Sequence, residues 1–309
     1  MGPTASGKTE LALSLARKLH TEIISADSRQ VYQFLTAGTA KPVGQWINGK
    51  YLVEQSPYHL VDFLPPDQTF DASAFCQAAQ QLSQTHPEKP FIFAGGTGLY
   101  IHSFFIGLDP LPPSDPLLRK ELTAWAAKHG KQALHARLQE KDPLSAQQIP
   151  AGNIQRVMRA LEITLLAKKP ASVLRRGTFH GEFPAEKALF VYLHWDKEIL
   201  NARIQTRTQG LLDPMAEETR ALLQKGFSEN TPALKSLGYP QIIDWLQGRM
   251  TRLETFEKIT TLTRQYAKRQ RTWFNRYKNI LRLDLNQPQD WKVEKLTDQI
   301  IQTYQQHSI

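Results

Sequence analysis

The sequence predicts an α/β protein: a P-loop NTPase-like parallel sheet flanked by helices, with an all-helical insertion. Three observations carry this. Short β-branched or aromatic runs alternate with helical patterns, a phosphate-loop motif opens the chain and runs straight into a helix, and the middle of the chain is helical in pattern with no convincing strand.

The motif comes first. Gly2, Pro3, Thr4, Ala5, Ser6, Gly7, Lys8 and Thr9 satisfy G-x-x-x-x-G-K-[ST]. In such a loop the glycines let backbone N–H groups turn inward on a phosphate and the helix N-terminus adds partial positive charge. Lys8 reaches the outer phosphates and the Thr9 hydroxyl can hold Mg²⁺. Only Met1 precedes Gly2, so the strand that normally leads into a P-loop is missing from this sequence, as a downstream start or a truncation would leave it.

The predicted strands are Glu22–Ala26, Pro90–Ala94, Leu189–Trp195 and Ile280–Leu285, each a short apolar run ending in small or polar residues. Helical patterns cover Thr9–Leu19, Ala72–Ser83 and Glu254–Tyr277. From about Ser114 to Gly177 the chain is Leu/Ala-rich and helical, opened by Pro110, Pro112, Pro113 and Pro116 and closed by Pro170 and Gly177. The expected division is therefore a core of residues 1–113 and 186–309 with a C-terminal basic helix, and a helical insertion over 114–185.

Composition narrows the function. With 38 Lys+Arg against 29 Asp+Glu the chain is basic, at net charge +9 and pI about 9.5, and 41% hydrophobic residues over 309 positions exclude disorder and fibrous classes. A single cysteine, Cys76, permits no intramolecular disulfide and no cysteine zinc site, which points to a reducing, cytoplasmic setting. The nine histidines show no ligand spacing, and no apolar run approaches the roughly 18 residues of a membrane span.

A motor or switch NTPase needs a second strand ending in an Mg²⁺-supporting Asp. Phe91–Ala94 runs instead into Gly95-Gly96-Thr97-Gly98-Leu99-Tyr100, with a hydroxyl where the carboxylate would be, and this favours group transfer from a diphosphate over hydrolysis. A carboxylate does close the strand before Ser28-Arg29-Gln30. Asp27 is the candidate general base or metal ligand, with an Asx-turn or N-cap carboxylate as the alternative. Between Thr263 and Lys278, six Lys/Arg stand among Tyr266, Trp273, Phe274 and Tyr277 with no acidic residue, and Arg156, Arg159, Lys168, Lys169, Arg175 and Arg176 form a second basic segment. Either alone reads as a solvated helix face. Two of them flanking one cleft read as the footprint of a large polyanion with unstacked bases.

Together these residues resemble the bacterial tRNA dimethylallyltransferases, or tRNA isopentenyltransferases, over nearly the whole chain. The resemblance rests on GPTASGKT, ADSRQVY (Ala26–Tyr32), GTAKP (Gly38–Pro42), YHLVD (Tyr58–Asp62), GGTGLY (Gly95–Tyr100), IQRVMRALEI (Ile154–Ile163), ARIQTR (Ala202–Arg207), LGYPQ (Leu237–Gln241) and TRQYAKRQRTWF (Thr263–Phe274). It implies a monomeric, Mg²⁺-dependent enzyme that moves a dimethylallyl group from dimethylallyl diphosphate to N6 of the adenosine 3′ of the anticodon, with the base flipped into a channel. By resemblance the P-loop holds the donor's diphosphate rather than ATP, and Asp27 is the general base. Lys8, Arg207, Ser6, Gly7 and Thr9 stabilise the leaving group, and Thr97 lies near the target nucleotide.

The tRNA contacts the resemblance implies are Asp27, Ser28, Arg29, Gln30, Thr97, Arg119, Gln155, Arg156, Val157, Met158, Arg159, Lys235, Ser236, Leu237, Gly238, Tyr239, Pro240, Lys268, Arg269, Gln270, Arg271, Trp273, Phe274 and Asn275. The chain departs from the family pattern after Arg207, where Gly210-Leu211-Leu212 replaces a nearby Met, and at Leu237-Gly238-Tyr239, where Ile-Gly-Tyr is usual. An adenylate isopentenyltransferase would have less use for the basic segments. A P-loop small-molecule kinase would need a lid of arginines on ATP, and a non-catalytic RNA-binding protein would not need Asp27.

Overall fold

The structure, a computed structural model, describes residues 1–85, 90–175, 182–184 and 188–307, with only the backbone of His307. Arg176, Gly177, His86, His180 and the expected boundary at 185/186 lie outside the described residues. The chain divides into two units, Met1–Ile106 with Glu182–Ile309, and Gly107–Gly181.

In the larger unit the P-loop leads into α1 (Lys8–Leu19), which buries Leu11–Ala16 and ends at His20 in the left-handed region, φ 50°. The chain then enters β1 (Ile23–Ser25), every residue of which is buried. Two isoleucines, with Ser25 donating its hydroxyl to Gln30 Oε1 at 3.0 Å rather than to water, suit the centre of a sheet covered on both faces. β1 pairs in parallel with β4 (Ser56–His59) and β5 (Ile92–Ala94), matching Ile23 to Tyr58 and Ile24 to Phe93. The edge is antiparallel: β2 (Gln45–Ile47) and β3 (Lys50–Val53) complete the order β2-β3-β4-β1-β5.

A second, two-stranded parallel sheet joins β6 (Val191–Trp195) to β7 (Leu281–Leu285). The Met1 amino group donates to Val191 O at 2.7 Å and the Leu193 N–H donates to Met1 O at 2.9 Å, so the first residue already follows β6 as a strand would. Around the sheets pack α2 (Ala72–Thr85), α3 (Gly98–Phe105), α8 (Lys197–Gln224), α9 (Tyr239–Leu246), α10 (Arg252–Phe274) and α11 (Val293–His307). A capping box of Thr251 and Glu254 starts α10, satisfying amide donors that would otherwise be stranded.

The smaller unit contains α4 (Pro116–Lys141), α5 (Pro143–Gln148), α6 (Ile154–Ala167) and α7 (Ala171–Leu174), and its described residues form no strand. α4 breaks at Gly130, φ 87°, where an L side chain would be strained. Leu122, Leu134, Leu138, Val157, Leu161 and Ile163 form the core. Glu162 is buried in full and binds Arg119, Arg159, the Ser114 hydroxyl and the Asp115 N–H. Burial alone would raise its pKa, but the two arginines and the other donors outweigh that and hold it below the usual carboxylate range.

Candidate active site

The P-loop is held open from outside. Ala5 (φ 62°) and Gly7 (φ 91°) both take left-handed backbone, which turns successive peptide units so that amides face one way and carbonyls the other. The outward carbonyls are engaged: Arg203 Nε donates to Ala5 O at 2.9 Å and Trp195 Nε1 to Ser6 O at 3.0 Å. The Arg203 guanidinium carbon lies 4.3 Å from the Trp195 ring centroid and 5.9 Å from that of Trp291. Trp291 in turn covers Gly7, where an added Cβ would stand 2.3 Å from its ring, so glycine is required by space as well as by φ.

On the inner side, Lys8 Nζ donates to Pro3 O at 2.7 Å. Burial lowers the Lys8 pKa to about 8, with the Asp27 charge opposing the shift and Arg207 adding to it. Arg207 lies one helical turn beyond Arg203 on α8, an i,i+4 spacing that puts both on one face, and its Nη1 reaches Thr4 Oγ1 at 3.4 Å.

Asp27 stands at the C-terminal end of β1. Its Oδ1 accepts from the N–H groups of Arg29 at 2.9 Å and Gln30 at 3.4 Å, the Asx turn that is the alternative reading of this residue, and the turn orients the carboxylate. The glycine turn lies against this loop. Thr97 N–H donates to Ala26 O at 3.1 Å and the Ser28 N–H donates to Thr97 Oγ1 at 3.0 Å. Burial first, and then the Asp27 charge, raise the pKa of the phenols of Tyr58, Tyr100 and Tyr266, which therefore stay protonated. Tyr58 is hydrogen-bonded to Thr9 and Tyr266 to Thr97.

Of these groups, Lys8, Asp27, Tyr58, Arg207 and Tyr266 share one cavity of about 660 Å³. Thr4, Lys8, Thr9, Asp27 and Arg207 line its polar part, and Ile204, Leu211, Met215, Ile259 and Leu262 its apolar part. The cavity can therefore hold a diphosphate with a short hydrocarbon tail beside a carboxylate. The Thr9 hydroxyl and the Asp27 carboxylate, both lining the cavity, also fit the sparse protein ligation of Mg²⁺, which takes most of its oxygens from substrate phosphate and water.

Of the residues expected at this site, Ala5, Gly7, Ser28, Arg29, Gln30, Lys235, Ser236, Leu237, Pro240, Arg269 and Gln270 also line the cavity, whereas Thr97 does not line it and Gly2, Pro3 and Ser6 are buried in the loop itself. Lys268 and Asn275 are exposed on or just beyond α10, Trp273 and Arg271 are half-buried, and Arg276 stacks on Trp273 with its guanidinium carbon 4.6 Å from the ring. In the helical unit Gln155 and Arg156 are exposed and Met158 is half-buried against the core.

Several of the expected tRNA contacts hold structural places in the fold. Val157, Tyr239 and Phe274 are buried in full and Gly238 is also buried, so they present no surface to a polyanion. Tyr239 donates to Glu218 Oε2 at 2.6 Å and accepts from the Gly38 N–H at 3.1 Å. Gln270 is 5% exposed and bonds backbone groups on two loops. Arg119 and Arg159 are committed to Glu162. Sequence reasoning missed Arg203, Trp195, Trp291, Tyr58 and the structural role of Gln270. Only Arg203 had a signal, its spacing from Arg207.

Comparison with known proteins bears on this geometry. The family model described as IPP transferase matches residues 30–277. The chain belongs to the IPP transferase family. A relative from Elusimicrobium minutum named tRNA dimethylallyltransferase is 51% identical over 285 residues, 92% of either chain. One from Myxococcus xanthus with the same name is 39% identical over 89% of this chain and 88% of its own. The crystal structure of the Staphylococcus epidermidis tRNA delta(2)-isopentenylpyrophosphate transferase aligns at TM-score 0.67 and 32% identity, covering 100% of this chain and 98% of that one. A eukaryotic dimethylallyltransferase acting on tRNA aligns at TM-score 0.72 over 98% of this chain and 78% of its own; at 22% identity it speaks for the fold. Among the described residues no helix is long and apolar enough to cross a membrane, and no three His, Cys, Asp or Glu cluster as a metal site would.

Proposed function

We propose that this chain transfers a dimethylallyl group from dimethylallyl diphosphate to N6 of the adenosine 3′ of the anticodon in tRNA, releasing diphosphate. The observation that carries the reading is the shared cavity: Asp27, Lys8 and Arg207 converge where Ile204, Leu211 and Met215 supply an apolar wall. The names of the family relatives agree with it.

The P-loop amides, Lys8 and Arg207 grip the diphosphate, with the hydrocarbon along the apolar wall. The adenine N6 attacks C1 of the dimethylallyl group as the C1–O bond breaks, the leaving diphosphate takes the bonding electron pair, and Asp27 accepts the N6 proton. Charge grows on the leaving oxygen during this step, so cations held there in advance are worth more in the transition state than in the ground state. Thr9 and Asp27, which line the same cavity, would hold Mg²⁺, which when bound would offset diphosphate charge. The exposed cations of α10 and Lys235 meet RNA phosphates. The reading includes a monomer working in the cytoplasm.

The test is transfer of label from dimethylallyl diphosphate to an unmodified anticodon stem-loop, with AMP as competing acceptor and ATP turnover measured in parallel. Label on the stem-loop alone is expected. Label on AMP would indicate an adenylate enzyme, and ATP turnover without label a kinase.

A further inference from the structure

The Gln270 carboxamide, on a helix face that the sequence marks as basic, is occupied on both sides by backbone. Its Oε1 accepts the Thr4 N–H of the P-loop at 2.8 Å, and its Nε2 donates to Gly96 O of the glycine turn at 2.9 Å. Gly96 permits this approach, since a Cβ there would stand 2.2 Å from Nε2. One acceptor meets one donor at each end, so the amide has a single satisfied orientation; flipping it would set donor against donor and acceptor against acceptor.

The two loops it joins have different tasks in the proposed reaction. Thr4 is in the loop that grips the diphosphate and is also touched by Arg207. Gly96 precedes Thr97, whose hydroxyl accepts the Ser28 N–H next to Asp27. The path Thr4–Gln270–Gly96–Thr97–Ser28–Asp27 thus ties leaving-group grip to base by short bonds, the Gln270–Gly96 bond buried and the others half-buried. We propose that Gln270 is a positioning residue that fixes the spacing between the P-loop and the Asp27 loop, and not an RNA contact. The inference rests on the transferase reading above for its kinetic consequence and on geometry alone for its structural one.

Two variants test it in the full chain. Gln270→Met keeps the shape and removes both bonds. Gln270→Glu keeps the acceptor for Thr4 and regains a donor toward Gly96 only when protonated. In Gln270→Met, kcat should fall about tenfold or more while stem-loop affinity by filter binding stays within about twofold. Relative to wild type, Gln270→Glu should recover activity as pH falls. Hydrogen exchange needs no turnover, and in Gln270→Met the amides of Gly2, Thr4 and Ala5 and those of residues 95–98 should both exchange faster.

Unchanged kcat, weakened stem-loop affinity at unchanged kcat, or faster exchange in one loop only would each overturn the proposal. If the wild type transfers no label while both loops loosen in Gln270→Met, the transferase reading fails and the link between the loops stands.

Discussion

Arg203 and Trp195 stack, with the guanidinium carbon 4.3 Å from the ring centroid, and the two side chains end on consecutive P-loop carbonyls, Ala5 O and Ser6 O. A planar cation that stacks and donates in the same plane is a guanidinium property, which an ammonium lacks. Arg203→Lys should therefore keep the charge and lose the clamp. We expect a stability loss of about 1–3 kcal/mol by thermal unfolding, because Ala5 O loses a partner and the stack is broken. Inorganic pyrophosphate should bind more weakly by calorimetry. Unchanged pyrophosphate affinity would mean that the P-loop holds its shape without Arg203.

Lys8 carries a pH signature. Its pKa in the ligand-free protein is lowered to about 8 from the ordinary 10.5, chiefly by burial. Between those two values the unfolded chain holds a proton that the folded one has released, so stability gains from Lys8 as pH rises through that window. Binding runs the other way. A diphosphate favours the charged lysine and raises its pKa, so above pH 8 binding takes up a proton and affinity falls with rising pH. Lys8→Arg stays charged throughout. The difference in pyrophosphate affinity between wild type and Lys8→Arg should therefore grow with pH above 8, and calorimetry in buffers of different ionisation enthalpy should show the proton uptake in wild type alone.

Much of the α/β core was legible because its signals are local. The four predicted strands appear as Ile23–Ser25, Ile92–Ala94, Val191–Trp195 and Leu281–Leu285, and the helix after the P-loop begins at Lys8. The edge strands were not legible. Gln45–Ile47 is exposed along its whole length and shows neither alternation nor an apolar run. In α8, Pro214 interrupts the helical pattern of a 28-residue helix. Tyr239 and Phe274 sit in motifs that read as RNA-binding, yet each is buried by partners far away in sequence, which a local pattern cannot reveal. The same holds for Trp291, whose place over Gly7 depends on the fold bringing the C-terminal segment back to the P-loop.

Exposed positive charge divides along α10. Lys268 and Arg269 are exposed, whereas their neighbour Gln270 is not. Arg269 also lies over Tyr266, 5.7 Å from its ring centroid, and both line the cavity. Changing both cations to Ala should weaken stem-loop binding and reduce the slope of log affinity against log salt by about 0.7 for each phosphate of a single-stranded segment that is no longer neutralised. An unchanged slope would place the phosphates elsewhere.

Asp27 has two roles, and one substitution separates them. Oδ1 shapes the turn by accepting from Arg29 and Gln30, and the carboxylate charge reaches Lys8 and Arg207 across the cavity. Asp27→Asn keeps an amide oxygen for the turn but cannot accept the N6 proton, and it removes the charge. If Asp27 is the base, kcat should fall by about 10²–10⁴-fold with stem-loop affinity preserved. Asp27→Ala removes the turn as well, so it should add a loss of stability of about 1 kcal/mol to a similar loss of rate. The two variants distinguish base from scaffold: if Asn retains wild-type turnover and Ala does not, the carboxylate serves the turn, and the proton leaves by another route.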